Sequence, residues 1–122
     1  MQIKKCNKCG AMIEVLQECT CQDCGIKCCG ENMSTLPKNQ TEFAFEKHMP
    51  EYEIVGNYIV VKVNHVMEQD HFIEWVALES EEVFGKKKLK PDQKAVAVFP
   101  YIPNSIIYGY CNKHGLWSKK VE

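Results

Sequence analysis

The sequence predicts a mainly β chain, built as a small cysteine-rich metal-binding module followed by an immunoglobulin-like β-sandwich. Three observations carry this prediction. Seven of the eight cysteines, Cys6, Cys9, Cys19, Cys21, Cys24, Cys28 and Cys29, fall in the first 29 residues. Beyond them the hydrophobic period becomes two, in short β-branched or aromatic runs bounded by Gly, Pro or Asn. No stretch sustains a helical period.

In chain order, residues 1–36 form the module and 37–122 the sandwich. A segment of about 35 residues buries too little apolar surface to offset its conformational entropy, so it folds only with a metal or disulfides. Its cysteines supply that need. Met12–Leu16 (MIEVL) is the only stretch of the module that reads as a strand, and residues 34–42 (STLPKNQTE), polar with one proline, read as a linker. Glu42–Phe45 is a candidate further strand. The runs Tyr58–Val63, Phe72–Leu78, Ala95–Phe99 and Ser105–Tyr110 read as strands of a small sandwich or barrel. Lys86, Lys87 and Lys88, with Lys90 before Pro91, join two of these runs and read as a solvated loop.

The net charge is -1 with both signs interspersed, and all 15 basic residues are lysines. This gives no footprint for nucleic acid or an anionic membrane, and no guanidinium forks for reading bases or phosphates. No apolar run approaches the length of a membrane span, and the lysine-rich start leads into cysteines instead of a signal-peptide core. The expected location is therefore the cytoplasm, where reducing conditions favour metal ligands or redox thiols over structural disulfides.

All four histidines (His48, His65, His71, His114) and Cys111 lie beyond the module. His65 and His71 are six apart, which fits neither helical spacing, and they flank the connection between two expected strands. Cys111 and His114 follow the last strand, where Gly115 permits a tight turn, and His48 enters from the segment after the linker. Five donors thus come from three loops or strand ends, the usual way a β scaffold builds a site. Four imidazoles and a thiolate leave the sixth position of an octahedral metal open. Structural zinc closes at four ligands, whereas imidazole with one soft thiolate suits iron.

His48 within Glu46-Lys47-His48-Met49-Pro50, the stretch from His65 to Trp75 (HVMEQDHFIEW), and Cys111-Asn112-Lys113-His114-Gly115-Leu116-Trp117 resemble the superoxide reductase family, and most closely its two-iron branch, desulfoferrodoxin. The resemblance covers nearly the whole chain, with the motifs in family order. It implies an iron with four equatorial histidines, His48, His65, His71 and His114, and an axial Cys111. Val66 stands where the family often has proline, a departure that costs no ligand. The resemblance also implies a second iron on Cys6, Cys9, Cys28 and Cys29, hence two irons per chain. Against this, the intervening segment is longer than usual and carries Cys19, Cys21 and Cys24. Cys21-Gln22-Asp23-Cys24-Gly25 is itself a metal knuckle, and with Cys6 and Cys9 it would make a rubredoxin-like or zinc-ribbon site. Zinc in place of iron is open for either set, and the surplus cysteines otherwise read as buried apolar residues or incidental thiols.

The activity implied by the resemblance is reduction of superoxide, with one electron and two protons, to hydrogen peroxide in oxidative-stress detoxification. Lys47 would attract the anion and orient a proton-donating water, and Glu46 would ligate the oxidised iron and then leave. A rubredoxin-like electron donor and a homodimer are likewise implied. The competing reading is a non-catalytic electron-transfer or iron- or zinc-binding protein, in which Glu46 closes the site permanently.

Overall fold

The computed structural model describes residues 2–21, 25–39 and 48–122, and the chain divides into two compact units, Met1–Pro37 and Lys38–Glu122. The first unit contains β1 (Gln2–Lys5), β2 (Met12–Val15), β3 (Lys27–Cys28), β4 (Glu31–Asn32) and β5 (Ser34–Thr35). They form a three-stranded sheet in the order β2-β1-β5 and a separate β3-β4 hairpin. The sequence expectation of a single strand in this module is therefore corrected. β1 has only Ile3 as an apolar residue, and two-residue strands are too short to display a period. The expected linker also begins inside the module, because Ser34 and Thr35 pair with Lys5 and Lys4 of β1.

The second unit holds β6 (Glu51–Val55), β7 (Tyr58–Lys62), β8 (Ile73–Glu79), β9 (Phe84–Lys88), β10 (Val96–Pro100), β11 (Ile106–Cys111) and β12 (Gly115–Lys120). They form two antiparallel sheets, β10-β7-β6 and β12-β11-β8-β9. Alternation in the first sheet turns Ile59, Val61, Ala97 and Phe99 inward and leaves Val98 at 58% exposure. These inward residues share one core with Ile73, Val76, Leu78, Ile107 and Cys111 of the second sheet, which makes the unit a sandwich. The mainly β architecture of cysteine module and sandwich is thus the one the sequence predicts.

Four expected strands appear as β7, β8, β10 and β11. β6, β9 and β12 were not expected, and Glu42–Phe45 lies outside the described residues. The lysine run is corrected from loop to strand: Lys86, Lys87 and Lys88 pair with Ala77, Val76 and Trp75 as β9, at the sheet's edge. Exposed lysines on an edge strand discourage a further chain from pairing there.

The pairing of β8 with β11 carries one irregularity. Tyr110 pairs with Trp75 but Cys111 pairs with Ile73, so Glu74 is an extra residue on β8, a β-bulge. It explains how Ile73 and Val76, three apart, both face the core with Leu78. Close by, a Cβ on Gly109 would stand 3.0 Å from the Val63 side chain, so any larger residue there requires Val63 to give way by a few tenths of an ångström. No helix among the described residues is long and apolar enough to cross a membrane.

Candidate metal centres

One end of the sandwich gathers the histidines. His48 precedes β6 and His65 follows β7, at the same end because Glu51 pairs with Lys62. His71 precedes β8, Cys111 ends β11, and His114 lies in the three-residue loop leading to β12, where Gly115 takes a left-handed φ of 89°. One ligand atom from each of the five lies within 4.8 Å of all the others.

The four imidazoles form a closed circuit. Ring centroids are 4.7 Å apart for His48–His65, 4.6 Å for His65–His71, 5.0 Å for His71–His114 and 4.8 Å for His114–His48. His48 Nε2 lies 3.0 Å from His114 Nδ1 and 3.1 Å from His65 Nε2. Two ligands held about 2.1 Å from one metal at right angles stand roughly 3.0 Å apart, so this spacing suits a shared ion. The fully buried Cys111 places its Sγ 3.5 Å from His65 Nε2 and 3.7 Å from His114 Nδ1, within reach of an ion shared with the circuit. A cavity of about 760 Å³ is lined by the four histidines, Asn64, Val66 and Glu68, and Cys111 is not among its lining residues.

Two details test whether a metal fits. His71 Nε2 is buried without a hydrogen-bond partner, a costly arrangement that a cation would relieve. His65 Nδ1 lies 2.6 Å from the Val66 carbonyl oxygen and donates to it, which leaves the Nε2 lone pair facing the circuit. Burial holds the His65 imidazole below its usual pKa, and the neighbouring imidazoles act the same way, favouring the neutral form that binds metals. Burial pushes the Cys111 thiol up, opposed by hydrogen bonds from the backbone N–H groups of Lys113 and His114. A bound cation would reverse the net effect and leave a thiolate with two donors already aimed at it.

Sequence reasoning missed the groups that hold these ligands in place. Asn112 Oδ1 accepts from Phe72 N–H at 3.0 Å and its Nδ2 donates to Asp70 O at 2.9 Å, tying the Cys111–His114 loop to the segment carrying His71. An asparagine inside a turn was the available signal. Trp117 stacks on His48 at 5.1 Å and 16°. Glu46 and Lys47 lie outside the described residues.

The first unit gathers a second set, Cys6, Cys9, Cys28 and Cys29, with sulfurs within 4.8 Å of one another. Cys6 and Cys9 sit in a knuckle closed by Gly10 N–H to Cys6 O (3.0 Å), with Cys9 N–H directed at Cys6 Sγ (3.4 Å). Adjacent cysteines would ordinarily point apart. Here Cys29 and Gly30, with φ of 55° and 77°, form the two-residue turn of the β3-β4 hairpin, whose flanking pair is Cys28 and Glu31. A left-handed backbone at a non-glycine residue is strained, and this bend lets both sulfurs converge. Cys28 Sγ is 3.6 Å from Cys9 Sγ and 3.9 Å from Cys29 Sγ. Four sulfurs about 2.3 Å from a metal at tetrahedral corners stand roughly 3.8 Å apart. Hydrogen bonds from the Cys9 and Lys8 backbones lower the Cys6 thiol to about 7, whereas its neighbours, Cys9 foremost, push Cys28 up to about 12. Four sulfurs this close cannot all ionise without a cation.

Of the surplus cysteines, Cys21 is an exposed free thiol, Cys19 is exposed and disulfide-bonded, and Cys24 lies outside the described residues. Of the two readings offered for the surplus cysteines, the buried apolar residue is therefore corrected for Cys19 and Cys21, and Cys21 fits the incidental thiol.

The comparisons with known proteins agree with this architecture. The desulfoferrodoxin family model matches residues 40–120. The desulfoferrodoxin of Syntrophotalea carbinolica is 37% identical over 98% of this chain and 96% of its own length. A desulfoferrodoxin homolog of Archaeoglobus fulgidus is 36% identical over 96% of this chain and 94% of its own. Among solved structures, the superoxide reductase of Treponema pallidum superposes with a TM-score of 0.76 at 26% identity, covering 98% of this chain and 96% of that one. A one-iron superoxide reductase from Giardia intestinalis gives 0.55 at 26% identity over 63% of this chain and 98% of its own. With sandwich, cysteine module and both donor sets in place, the chain belongs to the desulfoferrodoxin family.

Proposed function

We propose that this protein is a superoxide reductase, reducing superoxide to hydrogen peroxide at an iron held by His48, His65, His71, His114 and Cys111. A second iron is held by Cys6, Cys9, Cys28 and Cys29, a set that also accepts zinc. The observation that carries this reading is the closed circuit of four imidazoles, with a buried thiol beside it and a cavity lined by all four rings but not by the thiol. Iron bound there supplies one electron to superoxide. The chain's own groups do the rest. The Lys113 and His114 backbone N–H groups hold the Cys111 sulfur, which would donate electron density to a bound iron. Asn112 keeps that loop against the His71 segment. Lys47 brings a positive charge to draw in the anion and orients a proton-donating water. Glu46 would serve as a ligand of the oxidised iron and leave before the next cycle, the role the family resemblance implies. The electrons come from a rubredoxin-like donor, and the protein works as a cytoplasmic homodimer.

The test mixes pulse-generated superoxide with reduced protein at several salt concentrations. Lys47→Ala should slow the bimolecular reaction about tenfold, roughly 1.4 kcal/mol in the barrier, and flatten its salt dependence with iron content unchanged. Cys111→Ser should bleach the thiolate-to-iron band of this site alone. Reduced protein that superoxide does not oxidise faster than dioxygen does would replace the enzyme reading with that of an electron carrier.

A further inference from the structure

Outside the two donor sets, the strongest run of positive charge in the sandwich is β9 and the residues just after it. Lys86, Lys87, Lys88 and Lys90 are all exposed, and among the described residues none of them is paired with a carboxylate. Guarding a sheet edge takes one or two such charges and needs nothing beneath them. Here an aromatic pair lies beneath. Lys88 stands opposite Trp75 in register and Lys86 opposite Ala77, so these two lysines and Trp75 share the outer face of the sheet. Lys87 takes the other face, where its Nζ donates to the Val96 carbonyl oxygen at 3.3 Å. On the outer face the Lys86 ammonium lies 5.6 Å from the centre of the Trp75 ring, and Trp75 stands opposite Tyr110 on β11. Their rings stack at 5.5 Å and 15°, both buried. Tyr110 is joined by one peptide bond to Cys111, the sulfur of the histidine centre. A cationic surface, two stacked π systems and a ligand sulfur therefore follow one another without a gap.

We propose that the outer face of β9 docks an acidic one-electron carrier protein, and that the stacked Trp75 and Tyr110 rings lead its electron to the Cys111 side of the histidine centre. This rests on the superoxide reductase reading and names the surface its electron donor engages. Charge selects the partner. Encounters between redox proteins bury little surface, below about 1,200 Å² in total, so they depend on opposite charge to raise the encounter rate and to orient the pair. Exposed lysines without carboxylate partners attract a carrier with acidic groups around its redox centre and repel a cationic one. Electron tunnelling falls off steeply across open space and less steeply through packed rings and covalent bonds, which favours entry above Trp75. In each encounter the carrier loses one electron and the histidine centre gains it. No bond forms or breaks, and neither ring changes its proton count. No β9 residue lines the cavity of the four histidines, so carrier and anion use different surfaces.

The experiment mixes a reduced rubredoxin of net negative charge with the oxidised, full-length, metal-loaded protein at several salt concentrations. Carbodiimide, which joins lysine amines to carboxylates in contact, should link rubredoxin to Lys86 and Lys88, as read by peptide mass spectrometry. This arm needs no variant. Lys86→Gln with Lys88→Gln should slow the bimolecular reduction about tenfold at low salt and flatten its salt dependence. Reduction by ascorbate, which needs no docking surface, and oxidation of the pre-reduced protein by superoxide should keep their rates. Trp75→Leu should keep the cross-links and the salt dependence but slow the limiting transfer at saturating rubredoxin, and Trp75→Phe should restore it. Cross-links confined to lysines outside β9, or a double variant as fast as the unaltered protein, would overturn the docking surface. A limiting rate untouched by Trp75→Leu would overturn the path. Pre-reduced protein that superoxide does not oxidise would instead end the enzyme reading, and the cross-linking result would stand apart from it.

Discussion

In the module, the buried hydrophobic residues among those described are Ile3, Cys6 and Met33, whereas the sandwich closes thirteen buried residues into a single core. The two units therefore rely on different forces. The first is held by short strands and four sulfurs that require a cation, the second by apolar burial that exists without one. A metal bound by the sandwich would be a guest at the end of a finished fold, and one bound by the four sulfurs would be part of the fold itself.

Stripping both metals with a chelator should give the largest effect and break the molecule along this line. A four-thiolate structural site stabilises its fold by about 10–16 kcal/mol, so amide signals of residues 2–35 should collapse while those of β6–β12 keep their dispersion. Simultaneous loss of both sets would overturn the contrast. The converse change is Ile107→Ala in the sandwich core, expected to cost about 2–5 kcal/mol in denaturant unfolding of the second unit and to leave the absorption of the cysteine site untouched.

Smaller effects sharpen the picture inside the sandwich. Asn112→Ala removes two hydrogen bonds that join the Cys111–His114 loop to the His71 segment, and should lower metal affinity at the histidine site about 10–100-fold with little change in core stability. Metal competition titrations of the variant measure this. The smallest effect concerns Tyr108, whose phenol is driven upward from its ordinary value of 10.0 by burial first and then by Glu79, which accepts its O–H at 2.8 Å. A raised folded value means that the neutral phenol stabilises the native state. That contribution is complete below pH 10.0 and is lost as pH rises beyond it towards the folded value. Tyr108→Phe should therefore lower stability modestly at neutral pH, where that contribution is complete, and flatten the alkaline end of the stability profile.

The sequence was most legible where chemistry and pattern coincided. Strands such as Tyr58–Lys62 and Val96–Pro100 combine alternation with β-branched residues, and the histidines and Cys111 stood at their ends, where the structure brings them together. β9 was hidden because an edge strand made of Phe-Gly-Lys-Lys-Lys carries the composition of a loop. β6 was hidden by its acidic alternation, with only Tyr52 partly covered among exposed neighbours. β12 begins within the motif that drew attention as a ligand loop. The convergence of Cys28 and Cys29 depends on a left-handed φ that no side-chain pattern announces.

The bulge at Glu74 divides β8 into two reading frames. From Trp75 onward even-numbered residues face the core, and before it odd-numbered ones do, Ile73 among them. His71, two residues earlier, inherits the earlier frame. Most substitutions at Glu74 preserve this phase, since the extra residue matters more than its side chain. A one-residue deletion there would let the sheet zip up in regular register while the segment before it rotates by half a turn, carrying His71 away from its three partner imidazoles. For this enzyme family's chemistry, the length of one strand is therefore as much a part of the site as the identity of its ligands.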